Sequence, residues 1–154
     1  MQRSAIMRIE NILVPIDFGQ SSQRALDLAV DLAKKFDAKL TLMHGFEIPA
    51  YAYMGLGATI VDYFVPIEAG ARKCLEDSLR EVRAKLPNSE ALFKQGAPWQ
   101  QIVLASQEID ADLIVMGTHG RQGLGHALIG SVAEKVVRLS PVPVLTVREQ
   151  RPRE

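Results

Sequence analysis

Apolar residues in this chain fall into two alternating patterns. Five short, nearly continuous apolar runs read as buried strands: residues 11–17 (NILVPID), 39–44 (KLTLMH), 90–94 (EALFK), 113–116 (LIVM) and 142–147 (VPVLTV). Between them, apolar positions recur three and four residues apart, the period of a helix with one buried face. Ala25, Ala29, Leu32 and Phe36 share one face of the first such stretch, widened by Leu26, Leu28, Val30 and Ala33. Ala71, Leu75, Leu79, Val82 and Leu86 mark the second. Ile102, Ala105 and Ile109 mark the third, and Val132, Val136 and Leu139 the fourth.

The breaks agree with this reading. Pro15 cannot donate to a ladder, so it is expected near the end of its strand. Ser21 or Ser22 is suited to cap the first helix, and Asp37-Ala38 to turn out of it. Pro66 fits the first turn of the second helix, and Pro87 ends it. Gly96-Ala97-Pro98 turns into the third helix, and Asp110 and Asp112 bracket the turn after it. Gly130-Ser131 opens the fourth, which Ser140-Pro141 stops, because proline restricts the residue before it. Residues 45–65 break the rhythm: Pro49, Gly55, Gly57, Met54 and the chain's three tyrosines show no clear period. A loop of that length in a compact domain is usually functional or mobile. Residues 1–8 read as a loose start and 149–154 as a charged, flexible tail.

The resulting order is β-α-β-α-β-α-β-α-β. It predicts a single α/β domain over residues 1–154, with its core at about 9–148. The architecture is a Rossmann-like three-layer sandwich: a five-stranded parallel sheet flanked by helices on both faces. Ligands in such sheets bind beyond the carboxyl ends of the strands, where strand order reverses. Asp17, Gly45 and Gly117 are expected at such ends.

Composition narrows the partners. The 154 residues carry 18 basic and 18 acidic side chains, a net charge of zero. That argues against nucleic acid, whose binding rests on a basic surface. One cysteine, Cys74, allows no internal disulfide. No apolar run reaches the roughly 18 residues that a membrane span needs, and the N terminus lacks the apolar core of a signal peptide. A cytoplasmic location is the default expectation.

The densest chemistry lies in residues 111–148. Gly117, Gly120, Gly123 and Gly125 punctuate a loop after the fourth strand, and Gly130-Ser131 then opens a helix. Free N–H groups and the helix dipole make such an N terminus an anion site, and glycines let the backbone approach a phosphate. Gly117-x-x-Gly120, nine residues, then Gly130-Ser131 is a three-part spacing on a strand–loop–helix frame. With ILVPIDF (residues 12–18), MH (43–44), MGTHG (116–120), IGS (129–131) and PVPVLTV (141–147), the chain resembles the ATP-binding branch of the universal stress protein family.

The resemblance implies a nucleotide site. Pro15, Ile16 and Asp17 would border adenine and ribose, with Asp17 accepting from a ribose hydroxyl. Gly117 and Gly120 would let the loop wrap ribose and phosphates, with Met116 lining the pocket. Gly130, Ser131 and Val132 would hold phosphate oxygens, and Arg121 either neutralises phosphate charge or solvates the loop. Two positions depart from the family pattern. Gly45 stands where many members place a valine against the adenine, and Ala133 replaces a frequent hydroxyl residue. The implied ligand is ATP, or ADP or AMP, with Mg2+ or Mn2+ as an optional companion. The implied assembly is a homodimer paired through the last strand, from Val142 to Val147, with no nucleic acid or membrane partner.

Plainer readings stand beside these. Gly117 could simply end a strand, Gly130 start a helix, and Asp17 hold a loop. His119 and His126 read as solvent-exposed loop residues and His44 as structural; their spacing is not that of a zinc site. Met43 reads as core or pocket lining, and Trp99 as packing against the sheet edge. No Gly-Lys-Ser/Thr, Gly-x-Ser-x-Gly or nucleophile–base pair is present, so no catalytic residue is assigned. The leading expectation is a nucleotide-binding regulatory protein of stress response with slow or no hydrolysis. An ATP-hydrolysing or adenylyl-transferring enzyme and a ligand-free interaction scaffold are the alternatives.

Overall fold

The computed structural model describes residues 6–54, 58–119 and 129–149. In chain order these form β1 (Asn11–Pro15), α1 (Gln20–Phe36), β2 (Lys39–Phe46), a 3-10 turn (Ala50–Tyr53), α2 (Ala58–Arg83) and β3 (Glu90–Gln95). They continue with α3 (Pro98–Glu108), β4 (Leu113–Gly117), α4 (Ser131–Leu139) and β5 (Val144–Val147). The strands make one parallel sheet in the order β3-β2-β1-β4-β5. The chain runs outward from β1 to β3, then returns to place β4 on the other side of β1. Strand order therefore reverses between β1 and β4, and a crevice opens beyond their carboxyl ends.

Side-chain alternation divides the core between the two sheet faces. Ile12, Val14, Leu40, Leu42, Leu113 and Val115 pack with Ala25, Ala29 and Ala33 of α1 and Leu75 and Val82 of α2. Leu13, Met43, Ile114 and Met116 pack on the other face, with Ile102 and Ala105 of α3 and Ala133 and Val136 of α4. Each large aliphatic side chain buried this way contributes roughly 1.5–3 kcal/mol. Asp112 fixes the entry to β1: its Oδ2 accepts the Glu10 and Asn11 N–H groups at 2.8 and 2.9 Å. Its own N–H donates to the Asn11 carbonyl at 2.8 Å.

Several expectations need correction. β2 continues through Gly45 to Phe46, and α2 starts at Ala58, so much of the expected 45–65 loop has regular structure. Pro66 lies inside α2, not in its first turn. Proline there removes one helical hydrogen bond, and the Asp62 carbonyl it would have used lies on an exposed residue that water can serve. Gly19, not a serine, is the N-cap of α1, with no side-chain cap; Ser21 and Ser22 are buried in its first turn. Phe36 and Leu28 are exposed, so the buried stripe of α1 rests on its alanines, Leu26 and Val30. Leu139 is likewise exposed at the end of α4, and β5 begins at Val144. Gly55, Gly57, Gly120, Arg121, Gly123, Gly125, His126 and residues 150–154 of the tail lie outside the described residues.

Candidate functional site

The carboxyl ends of β1, β2 and β4 and the first turns of α1, α3 and α4 enclose a pocket of about 330 Å3. That volume falls within the range of small-molecule sites. Of the residues singled out from sequence, Pro15, Ile16, Asp17, Gly45, Met116, Gly117, Gly130, Ser131 and Val132 all line it. Gly120 and Arg121 fall outside the described residues.

Asp17 follows β1. Its Oδ1 accepts the Gly19 N–H at 2.9 Å and the Ser22 hydroxyl at 2.8 Å. One carboxylate oxygen thus holds the turn into α1, as the plainer reading had it. Oδ2 has no hydrogen bond among the described residues and is available to a hydroxyl donor.

Gly117 ends β4 against the first turn of α1. A Cβ built there would lie 2.7 Å from the Ser21 carbonyl carbon and 2.8 Å from the Ser22 nitrogen, and would collide with Ser21 Oγ. The glycine is therefore required by packing, whatever the pocket holds. Ser21 fastens the same junction: its hydroxyl donates to the His119 carbonyl at 2.8 Å and receives the His119 N–H at 3.3 Å.

The far side of the pocket is the N terminus of α4. Gly130 is its N-cap, and its N–H donates to the Thr118 carbonyl at 2.6 Å. Among the described residues no side chain caps the helix. The Ser131, Val132 and Ala133 amides are left without acceptors among the described residues, at the positive end of the helix dipole. Buried Thr118 anchors this arrangement, its N–H donating to the Val147 carbonyl of β5 at 3.0 Å.

Sequence reasoning missed several lining residues. Pro98 and Ile102 enter from α3, Ser22 from α1, and Thr118 from the turn after β4. His119, expected in solvent, is half-buried; its Nδ1 lies 2.8 Å from Thr118 Oγ1. Its Nε2 is buried without a hydrogen-bond partner among the described residues. His44, expected to be structural, does have a structural bond: Nδ1 sits 2.8 Å from the Ile16 carbonyl. That carbonyl only accepts, so Nδ1 carries the proton. The His44 ring also stands between Phe18 and Phe93, at 4.7 and 5.8 Å. Trp99 packs into the core on the α3/α4 face, with Lys135 Nζ 5.4 Å from its ring centre. Among the described residues no three His, Cys, Asp or Glu side chains gather as a metal site, and no helix is long and apolar enough to cross a membrane.

An open parallel sheet, a crevice at its strand-order reversal and an uncapped helix N terminus on that crevice define an α/β protein of the kind that takes small ligands at the sheet's carboxyl edge. The family model described as the universal stress protein family matches residues 8–148, and the chain belongs to that family. It is 34% identical over 144 residues to the universal stress protein YxiE of Bacillus subtilis, covering 89% of this chain and 97% of that one. Universal stress protein UspA of Lactobacillus plantarum superposes with a TM-score of 0.82 at 28% identity, over 92% of this chain and 99% of the other. A universal stress protein solved in complex with cAMP matches with a TM-score of 0.65 at 26% identity, over 90% and 97% of the two chains.

Proposed function

We propose that the pocket binds an adenine nucleotide, ATP or its products ADP or AMP, and that the protein is a nucleotide-binding regulator of stress response. The observation that carries this reading is the α4 N terminus. Three amides without acceptors among the described residues open onto the same pocket as Oδ2 of Asp17, which those residues also leave unpaired. Such a helix end favours an anion, and a carboxylate oxygen across from it suits a ribose hydroxyl. The apolar wall formed by Ile16, Met43 and Met116 suits a base. Binding of cAMP by a structural neighbour lends the adenine assignment support.

On this reading, phosphates lie at Gly130, Ser131 and Val132 and the base lies deeper, with Mg2+ or Mn2+ carried in on the phosphates. Hydrolysis is slow or absent. Calorimetric titration with ATP and Mg2+ tests the proposal, with thermal shift as a second readout. Heat of binding and a raised melting temperature are expected; neither at millimolar ligand would remove the nucleotide from the account. Turnover assayed with Mg2+ and Mn2+ tests the claim on hydrolysis.

A further inference from the structure

The base end of the pocket has a wall that β2 does not provide. Gly45 lies in β2 with no side chain, and the space where its Cβ would sit is already taken. A Cβ there would be 3.0 Å from Pro98 Cα and 3.3 Å from Pro98 Cβ. The chain is shaped to bring α3 this close. Gly96 has φ of +130°, a conformation that side chains rarely adopt, and its N–H donates to the carbonyl of Phe46, next to Gly45, at 3.0 Å. That bond ties the β3–α3 turn to the end of β2 and lays the first turn of α3 across Gly45.

Pro98 is the first residue of α3 and lines the pocket together with Ile102, one turn further on. Proline has no N–H. The end of α3 that meets the pocket thus begins with an apolar ring where α4 begins with amides.

We infer that Pro98 is a specificity-determining residue of the site, the wall on which a planar base packs in place of the side chain that Gly45 lacks. The inference rests on the nucleotide reading above. It makes the base end a slot that selects by shape and apolar contact, while charge is dealt with at α4. Gly45 and Pro98 are then in direct contact: a side chain at 45 would press on Cα and Cβ of Pro98 and push the first turn of α3 back.

The test uses wild type, Gly45→Val and Pro98→Ala, each titrated with ATP and with inorganic tripolyphosphate and each melted without ligand. Pro98→Ala should weaken ATP by about ten- to fifteenfold, the loss expected for two methylene groups leaving an apolar contact. The loss should be confined to ATP and absent with tripolyphosphate, which has no base. Gly45→Val should weaken ATP by about tenfold or more and lower the melting temperature. Undiminished ATP binding by Pro98→Ala would overturn the inference while leaving the nucleotide reading intact. So would equal weakening of ATP and tripolyphosphate by Pro98→Ala. A wild-type protein that binds tripolyphosphate but not ATP overturns both readings together.

Discussion

Gly117→Ala separates what the fold requires from what a ligand requires. The added Cβ would stand 2.7 and 2.8 Å from two backbone atoms of the first turn of α1. Carbon atoms in contact prefer about 3.5–4.0 Å, so α1 would have to retreat by roughly 0.7 Å or more. Backbone atoms cannot swing aside as a side-chain tip can. The retreat spreads along the helix, because Ala25, Ala29 and Ala33 are fully or almost fully buried against the sheet. Overpacking of this kind costs about 1–3 kcal/mol. Loosening the two Ser21–His119 hydrogen bonds adds about 0.5–1.5 kcal/mol. The sum, about 2–4 kcal/mol, lowers the melting temperature of a domain this size by about 5–15 °C. Gly130→Ala is the control. Gly130 has φ of −59° and ψ of 155°, open to any residue, and alanine at an N-cap costs about 1 kcal/mol or less relative to glycine. Thermal melts followed by circular dichroism should therefore rank the variants wild type, Gly130→Ala, Gly117→Ala. Adding Ser21→Ala to Gly117→Ala should rescue little, since the collisions with backbone remain. Melting of Gly117→Ala within about 2 °C of wild type, or full rescue by Ser21→Ala, would refute the packing argument.

Asp112→Ala removes the acceptor of two backbone N–H groups at the start of β1 and should cost about 1–3 kcal/mol, read by urea denaturation at unchanged slope. Asp17→Ala should lower stability by about 1–2 kcal/mol through the lost Gly19 and Ser22 bonds, and weaken ATP by about tenfold in calorimetry. Leu145, exposed on the edge strand β5, is expected in an isologous dimer contact, so Leu145→Lys should shift sedimentation toward monomer; an unchanged profile places the contact elsewhere. On the exposed face of α2, the hydrogen bond between Lys73 and Asp77 lowers the Asp77 pKa and raises that of Lys73. The pair's support is present between their ordinary values of 3.8 and 10.5, fading as pH falls through the lowered carboxylate value or rises through the raised amine value. At that exposure, Asp77→Asn should scarcely move a melt at neutral pH.

β1, β2 and β4 were legible because each is a short, almost unbroken apolar run buried on both faces, whereas the edge strands β3 and β5 are only partly buried and followed from the alternation of elements. The ends of α2 were not. Residues 47–57 carry no period, and Pro66 argues locally for a helix start; only exposure of the broken hydrogen bond lets the helix pass through it. The same division runs through the pocket. Asp17, Met116, Gly117, Gly130 and Ser131 sit in contiguous motifs at strand and helix ends, so spacing, strand-end position and the family resemblance pointed to them. Pro98, Ile102 and Ser22 reach the pocket through the approach of α3 and α1 to the sheet, and local sequence carries no sign of that distance. Ser22 was open to reading as a helix cap because its hydroxyl does bond nearby, but to Asp17 and to the Gly19 carbonyl.

The glycines around the crevice divide by the reason a side chain is missing. At Gly117 and Gly45 the absent Cβ is explained by a neighbouring helix: α1 occupies the first space and Pro98 of α3 the second. Strand ends without side chains let both helices close on the sheet, and that closure shapes the pocket. Gly130 differs. Its backbone angles suit any residue. The N-cap position it fills is served at least as well by serine, threonine, asparagine or aspartate, each of which would spend its oxygen on the amides of the first turn. Glycine leaves those amides without acceptors among the described residues. A helix end that forgoes its own cap, at some cost in stability, and faces a pocket with them has donors for an acceptor from outside the chain. Gly130, more than Gly117, is therefore the position at which loss of ligand binding without loss of fold would speak for the phosphate cradle.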